Sequence, residues 1–221
     1  MRQAFDAICA AIVLLLISPL LVLIGLAIKI DDRGPICYAH PRLGKNFRPF
    51  GLLKFRTIVT NADRLGGSIT VAGDRRITRV GRLLRDYKLD ELPQLWNVVV
   101  GDIQLVGARP EYAGNAERFR AEYEDLLRDR PGITDPATLA YRDEEKLLGG
   151  GNIEEQYFTR ILPHKLQLSL QYARRRTFLS DLRIILRTLL RLQQPPRDAK
   201  LAAWSVGGKT RAACGESVDL P

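Results

Sequence analysis

Residues 7–28 read AICAAIVLLLISPLLVLIGLAI, and no charged side chain interrupts them. At a helical rise of about 1.5 Å per residue, such a run is long enough to cross a hydrocarbon core about 30 Å thick. Arg2 and Asp6 precede it, and Lys29, Asp31, Asp32 and Arg33 follow it. The run is longer than the apolar core of a secretory signal and lacks a clear small-residue cleavage site. A buried helix of a soluble protein rarely goes so far without a polar residue. Ser18-Pro19 stands at the middle. Proline removes a helical hydrogen bond and crowds the preceding turn, and the Ser18 hydroxyl is at hand for the freed carbonyl. Two geometries follow: a kinked span, or a helix that bends back with both ends on one face. Basic residues flank both ends, so charge does not choose between them.

Outward from this segment the chain changes character. It has 221 residues, 34 Lys plus Arg against 25 Asp plus Glu, and a formal net charge of +9. Apolar residues make up 46% and charged residues 27%, which fits one folded domain with appendages and excludes collagen-like, low-complexity and disulfide-scaffold chains. Cys9, Cys37 and Cys214 lie far apart, as do His40 and His164. No zinc-ligand spacing arises, and a reduced, cytoplasm-facing chain is expected. The positive balance points to an anionic partner.

Ile36–His40 and Phe50–Phe55 read as strands separated by the turn-rich Pro41–Pro49, and Asn61–Thr70 reads as a loop. Helical periodicity marks Arg79–Tyr87 and Leu92–Val99, and Glu117–Leu127 is expected as a polar-faced helix. Pro131–Thr138 is turn-rich. Two further helices are expected over Pro163–Arg174 and Leu179–Leu192, the second capped by Ser180. On the last, Arg183, Arg187 and Arg191 form one stripe, while Leu182, Ile185, Leu186, Leu189 and Leu190 populate the other side. Such a basic amphipathic helix suits an anionic membrane surface, or simply a solvated face. The expected organisation is a membrane segment over 1–34, a cytoplasmic domain over 35–192 and a mobile tail over 193–221. Gly207-Gly208-Lys209-Thr210 resembles the end of a P-loop, but Ala203 stands where its first glycine belongs.

The chemistry concentrates in residues 74–111, DRRITRVGRLLRDYKLDELPQLWNVVVGDIQLVGARPE. Adjacent carboxylates Asp90-Glu91 stand among Arg75, Arg76, Arg79, Arg82, Arg85 and Arg109. Side-by-side acids repel, so the pair calls for a divalent cation or close arginines. Hard oxygen ligands without histidine point to Mg²⁺, or Mn²⁺, rather than zinc. Arginine forks bind phosphate. Together these point to phosphoryl transfer on an anionic substrate. An acidic pair opening a helix before Pro93 is the plain structural alternative.

KLDELPQLWNVVVGDIQLVGARPE resembles the signature of the bacterial sugar transferases, the monotopic phosphoglycosyl transferases. The likeness extends over nearly all of Met1–Leu192. It takes in the N-terminal Ser-Pro helix, GPICYAHPRLGKNFRPFGLLKFRT, DRRITRVGRLLR, RPGIT and LPHKLQLSLQYARRRTFLSDLRIILRTL. The resemblance implies a mostly helical α/β cytoplasmic domain on a re-entrant membrane helix broken at Ser18 and Pro19, with amphipathic interfacial helices, at the bacterial inner membrane. It implies transfer of a sugar 1-phosphate from a UDP-sugar to polyprenol (undecaprenyl) phosphate, the first membrane step of glycoconjugate synthesis. Asp90 would attack the β-phosphate, release UMP and carry a covalent phosphosugar, which gives ping-pong kinetics. Glu91 would assist as metal partner or general base, with Mg²⁺ at Asp90 and Glu91. Arg85 would hold a phosphate, Lys54 would lie near the active site with Arg56 a further candidate, and Arg109-Pro110 would lie near the nucleotide. Ala108 stands where the family has the first proline of Pro-Arg-Pro, and Arg75 where it often has proline.

The competing class is a non-catalytic, membrane-anchored protein that binds anionic lipid or nucleic acid through its arginines. Adjacent acids inside the basic patch serve no purpose in a pure polyanion binder, so no nucleic acid is expected. Phe55 and Trp96 are expected in the core. The sequence does not name the sugar or the oligomeric state.

Overall fold

The structure, a computed structural model of the chain, describes residues 2–60, 74–142, 144 and 153–190. The loop expected over 61–70, Arg191 and Leu192, and the tail over 193–221 lie outside the described residues.

Helix α1 runs Arg2–Asp31 without interruption through Pro19. Pro19 cannot donate to the carbonyl of Leu15, four residues back. The Ser18 hydroxyl donates to that same carbonyl at 2.8 Å, so the group freed by the proline is satisfied. One face of α1 packs on the rest of the protein near both ends. Ala10 joins Leu52, Val98 and Ile103 in one buried cluster, and Ile24 and Ile28 join Phe55 and Leu84 in another. Between them Leu15 and Leu16 are 76% and 73% exposed, so the middle of the helix presents bare apolar surface. Polar bonds fasten the ends: the amide of Leu105 donates to Asp6 Oδ2 at 3.3 Å, and that of Val80 to Asp31 Oδ2 at 3.0 Å.

Strands β1 (Cys37–Leu43) and β2 (Pro49–Phe55) form an antiparallel ribbon pairing Tyr38 with Lys54 and His40 with Leu52. β1 continues past Pro41, where the sequence reading ended it. It lies at a sheet edge, where a missing amide donor is tolerated. Helix α2 (Arg79–Tyr87) has the expected bounds, with the Thr78 hydroxyl capping Gly81 N. A 3₁₀ turn over Leu89–Glu91 leads to α3 (Gln94–Val100). Strand β3 (Gln104–Val106) pairs in parallel with β4 (Gly132–Thr134).

The expected helix over 117–127 is two: α4 (Ala113–Arg118) and α5 (Arg120–Leu126), separated at Phe119. The Phe119 ring turns onto the cluster of Ala116, Tyr123 and Leu166, and its backbone leaves the helical region to do so. The turn-rich 131–138 holds β4 and the start of α6 (Pro136–Ala140), whose amide at Thr138 is capped by Asp135. Asp135-Pro136 is therefore a helix start, Pro at the first position, rather than a turn. Helix α7 (Ile153–Gln156) passes through a π turn over Tyr157–Ile161 into α8 (Leu162–Arg175). Helix α9 (Phe178–Leu189) is capped by Thr177, with Ser180 completing a reciprocal capping box. The expected cap at Ser180 is thus corrected by three residues.

The described residues are mostly helical with two small sheets. On α9, Ile184 is the buried residue, while Leu179, Leu182, Leu186 and Leu189 are exposed. Phe5 of α1 meets Phe178 of α9 edge-on, with centroids 5.6 Å apart. The exposed apolar surface at the start of α1 therefore meets that at the start of α9.

Candidate active site

Asp90 and Glu91 sit in the 3₁₀ turn between α2 and α3. The turn is possible because Lys88 closes α2 in the left-handed region, at φ 58°. That residue redirects the chain so that Asp90 points inward, where it is 7% exposed.

The two carboxylates have opposite surroundings. Glu91 Oε1 accepts from Lys54 Nζ at 2.9 Å, and the Arg109 guanidinium grips both Glu91 oxygens, the longer bond being 3.2 Å. Burial alone would raise the Glu91 pKa, but Arg109 and Lys54 outweigh it and hold the carboxyl well below the usual range. Asp90 Oδ1 is buried with no hydrogen-bond partner. Burial and then the neighbouring Glu91 charge push the Asp90 pKa up, partly offset by Lys54, Lys88 and Arg85. The pair therefore consists of a firmly held anion and a carboxylate with an oxygen to offer.

Lys54 reaches the pair from β2. Arg85, on the last turn of α2, donates from Nε to Thr57 Oγ1 at 3.0 Å. Arg109 arrives from the loop after β3, with Pro110 buried behind it. Lys54, Arg85, Asp90, Glu91 and Arg109 are thus brought together from elements that are distant in sequence. Arg56 is not: its Nε donates to the Pro35 carbonyl and NH2 to the Asp32 carbonyl, each at 2.6 Å, and NH1 pairs with the Asp32 carboxylate. Its guanidinium fastens the exit of α1 to β2. Ser18 and Pro19 lie at the exposed middle of α1. Phe55 is buried, as expected. Trp96 is 54% exposed, contrary to its expected place in the core, because α3 turns Val98 and Asn97 inward instead.

The donor set tests the expected metal. Both Glu91 oxygens are engaged by cations, while Asp90 Oδ1 is unpartnered. Among the described residues no group of three or more His, Cys, Asp or Glu is disposed to hold an ion. An Mg²⁺ ion, which is commonly held by one or two carboxylates together with substrate phosphates, would find the free Asp90 oxygen, whereas Glu91, expected as a second ligand, has both oxygens engaged by Lys54 and Arg109.

Sequence reading missed Asn97. Its Oδ1 accepts from Leu53 N at 2.9 Å, and its Nδ2 donates to the Gly51 carbonyl at 2.8 Å and to Asp102 at 3.0 Å. This side chain pins β2 on both sides of Leu52 and so fixes the strand that carries Lys54. The only available signal was an amide among apolar residues of a helix.

The bacterial sugar transferase profile matches residues 1–194. The chain belongs to the bacterial sugar transferase family. The chain is 37% identical over 197 residues to an undecaprenyl-phosphate glucose phosphotransferase of Komagataeibacter xylinus, covering 86% of this chain and 35% of that protein. It is 35% identical over 191 residues to a UDP-glucose:undecaprenyl-phosphate glucose-1-phosphate transferase of Caulobacter vibrioides, covering 85% of this chain and 68% of that protein. An exopolysaccharide production protein, ExoY, of Sinorhizobium fredii is 32% identical, with 85% and 83% covered. The chain thus spans about a third of the length of the Komagataeibacter relative and two thirds of the Caulobacter one.

Proposed function

We propose that this sugar transferase is a monotopic phosphoglycosyl transferase that moves a sugar 1-phosphate from a UDP-sugar to polyprenol phosphate at the cytoplasmic face of a bacterial inner membrane. The observation that carries the reading is the buried, unpartnered oxygen of Asp90 within a ring of Lys54, Arg85 and Arg109. The names of the relatives support the donor and acceptor classes. In the first step an Asp90 oxygen forms a bond to the β-phosphorus. The bond from that phosphorus to the oxygen bridging to the α-phosphate breaks, and UMP leaves with the bridging oxygen. In the second step a phosphate oxygen of the polyprenol phosphate attacks the same phosphorus, and the Asp90 carboxylate is regenerated. Neither step needs a base, because both attacking oxygens are already anionic.

Lys54 and Arg109 hold Glu91 as an anion, and Glu91 in turn fixes the two cations beside the diphosphate. Arg85, steadied by Thr57, faces the charge that develops on the transferred group. Mg²⁺ held by Asp90 and the diphosphate would neutralise leaving-group charge. The attachment of both ends of α1 to one domain supports a helix with both ends on one side of the membrane, although it is unbroken at Ser18-Pro19 where a re-entrant break was expected. The exposed apolar surfaces of α1 and α9, which meet at the starts of the two helices, support seating in one leaflet, beside anionic phospholipid, where a water-soluble donor meets a lipid-borne acceptor. The test is UMP release from a panel of UDP-sugars with undecaprenyl phosphate and Mg²⁺, beside Asp90→Asn. Release with at least one donor, lost in the variant, supports the reading. Substantial release by the variant removes Asp90 as nucleophile.

A further inference from the structure

Three of the five buried side-chain atoms without a hydrogen-bond partner among the described residues belong to His40, Arg42 and Asp90. Buried polar atoms are ordinarily paired, so each calls for an explanation. Asp90 has one in the chemistry above. His40 Nδ1 and Arg42 Nε do not.

Both lie on β1, two residues apart, and therefore on one face of the ribbon. Tyr38 shares that face, directly opposite Lys54. The face thus begins at the lysine that touches Glu91 and runs away from it along the strand. Its side chains are held by the loop that follows Arg109-Pro110. The Tyr112 hydroxyl bonds His40 Nε2 at 2.5 Å, and the Arg42 guanidinium lies 3.3 Å over the Tyr112 ring. Glu111 accepts from Arg42 at 3.2 Å and from the Tyr112 amide at 2.9 Å. Glu111 and Tyr112 follow Arg109-Pro110 directly, so one loop supplies the Glu91 clamp and the partners that hold His40 and Arg42. Tyr38 is 53% exposed and stands edge-on to His40, with centroids 5.3 Å apart.

We propose that the Tyr38–His40–Arg42 face of β1 receives the nucleoside half of the nucleotide-sugar, the uracil ring stacking on Tyr38 and its polar edge meeting His40 Nδ1 and Arg42 Nε. This rests on the reading of the chain as a UDP-sugar enzyme. Cations for the phosphates are already gathered at Lys54, Arg85 and Arg109. The β1 face offers something else: an aromatic ring with a free surface and two directional nitrogen atoms. Burial, with Arg42 and Lys54 nearby, pushes the His40 pKa down to about 4, so the imidazole is neutral at neutral pH. A neutral, hydrogen-bonding group beside an aromatic ring suits an uncharged planar heterocycle better than a third phosphate.

The experiment measures binding of UMP and of ribose 5-phosphate, which carries the same phosphate without the base, to the full chain in lipid nanodiscs. UMP release from UDP-sugars is assayed on the same preparations. The wild type is expected to prefer UMP at least tenfold. Tyr38→Ala, on an exposed ring that the fold does not need, and His40→Ala should each reduce that preference to less than threefold. Lys54→Ala should weaken both ligands alike. Retention of the full preference in Tyr38→Ala and His40→Ala, in a wild type that releases UMP, overturns the assignment alone. A folded wild type that neither binds UMP nor releases it overturns the functional reading and this one with it.

Discussion

Asp90 and Glu91 are neighbours on one turn, yet burial and partners set them in opposite directions. In the proposed mechanism Asp90 attacks as its anion, and its pKa is raised by burial and by Glu91. The acid limb of kcat/KM is therefore expected above the ordinary carboxylate range of about 4, to be read from a pH–rate profile. A group whose folded pKa is raised stabilises the fold fully only below its unfolded value, and loses that contribution as pH rises through the folded pKa. At neutral pH the Asp90 charge is thus a burden, and Asp90→Asn should raise Tm while abolishing turnover; a lowered Tm at pH 7 would contradict this. Glu91 runs the other way. Its lowered pKa gives stability that is present above the unfolded value and lost as pH falls through the folded one. Glu91→Gln should lower Tm at neutral pH, with the deficit shrinking toward strongly acid pH, as thermal melts across pH would record. Sequence alone made the acidic pair, Lys54, Arg85 and Arg109 legible, because charge density and a long motif marked them. It kept Arg56, just past the end of β2, as a weaker candidate beside Lys54, because only the fold turns one to Glu91 and the other to Asp32 and Pro35.

At the scale of elements, the helices with strong periodicity were legible to within a few residues, α2 and α8 among them. The misreadings share a cause: a local signal overruled by a tertiary contact. Pro41 suggested a strand end, but an edge position tolerates it. Phe119 breaks a helix because its ring is wanted in the core. Gly81 shows how closely elements approach. A Cβ added there would lie 2.2 Å from the Thr57 carbonyl oxygen, so α2 crosses the end of β2 at backbone contact. Gly81→Ala is expected to destabilise the fold by roughly 1–3 kcal/mol through forced backbone separation, measurable by chemical denaturation. Because Arg85 lies one turn farther along α2 and bonds Thr57, activity in this variant should fall more than the loss of folded protein explains.

On the scale of the whole molecule, α1 is the element whose placement decides the architecture. Its apolar run was evident from sequence; its attachment at both ends was not, since Asp6 and Asp31 carry no mark of their partners Leu105 and Val80. A cysteine introduced at Gln3, with Cys9, Cys37 and Cys214 replaced, should label from the same side of the membrane as one introduced at Arg33. Labelling from opposite sides would require a bitopic helix. The ribbon of β1 and β2 adds a consequence at this scale. A two-stranded sheet ordinarily leaves open edges that another chain can extend. On β2 that edge is closed from within, because the Asn97 amide occupies the Gly51 carbonyl and the Leu53 amide as a peptide group of a third strand would. Copies of this chain that meet at this edge therefore find the Gly51 carbonyl and the Leu53 amide already taken, which disfavours strand addition to the strand that carries Lys54.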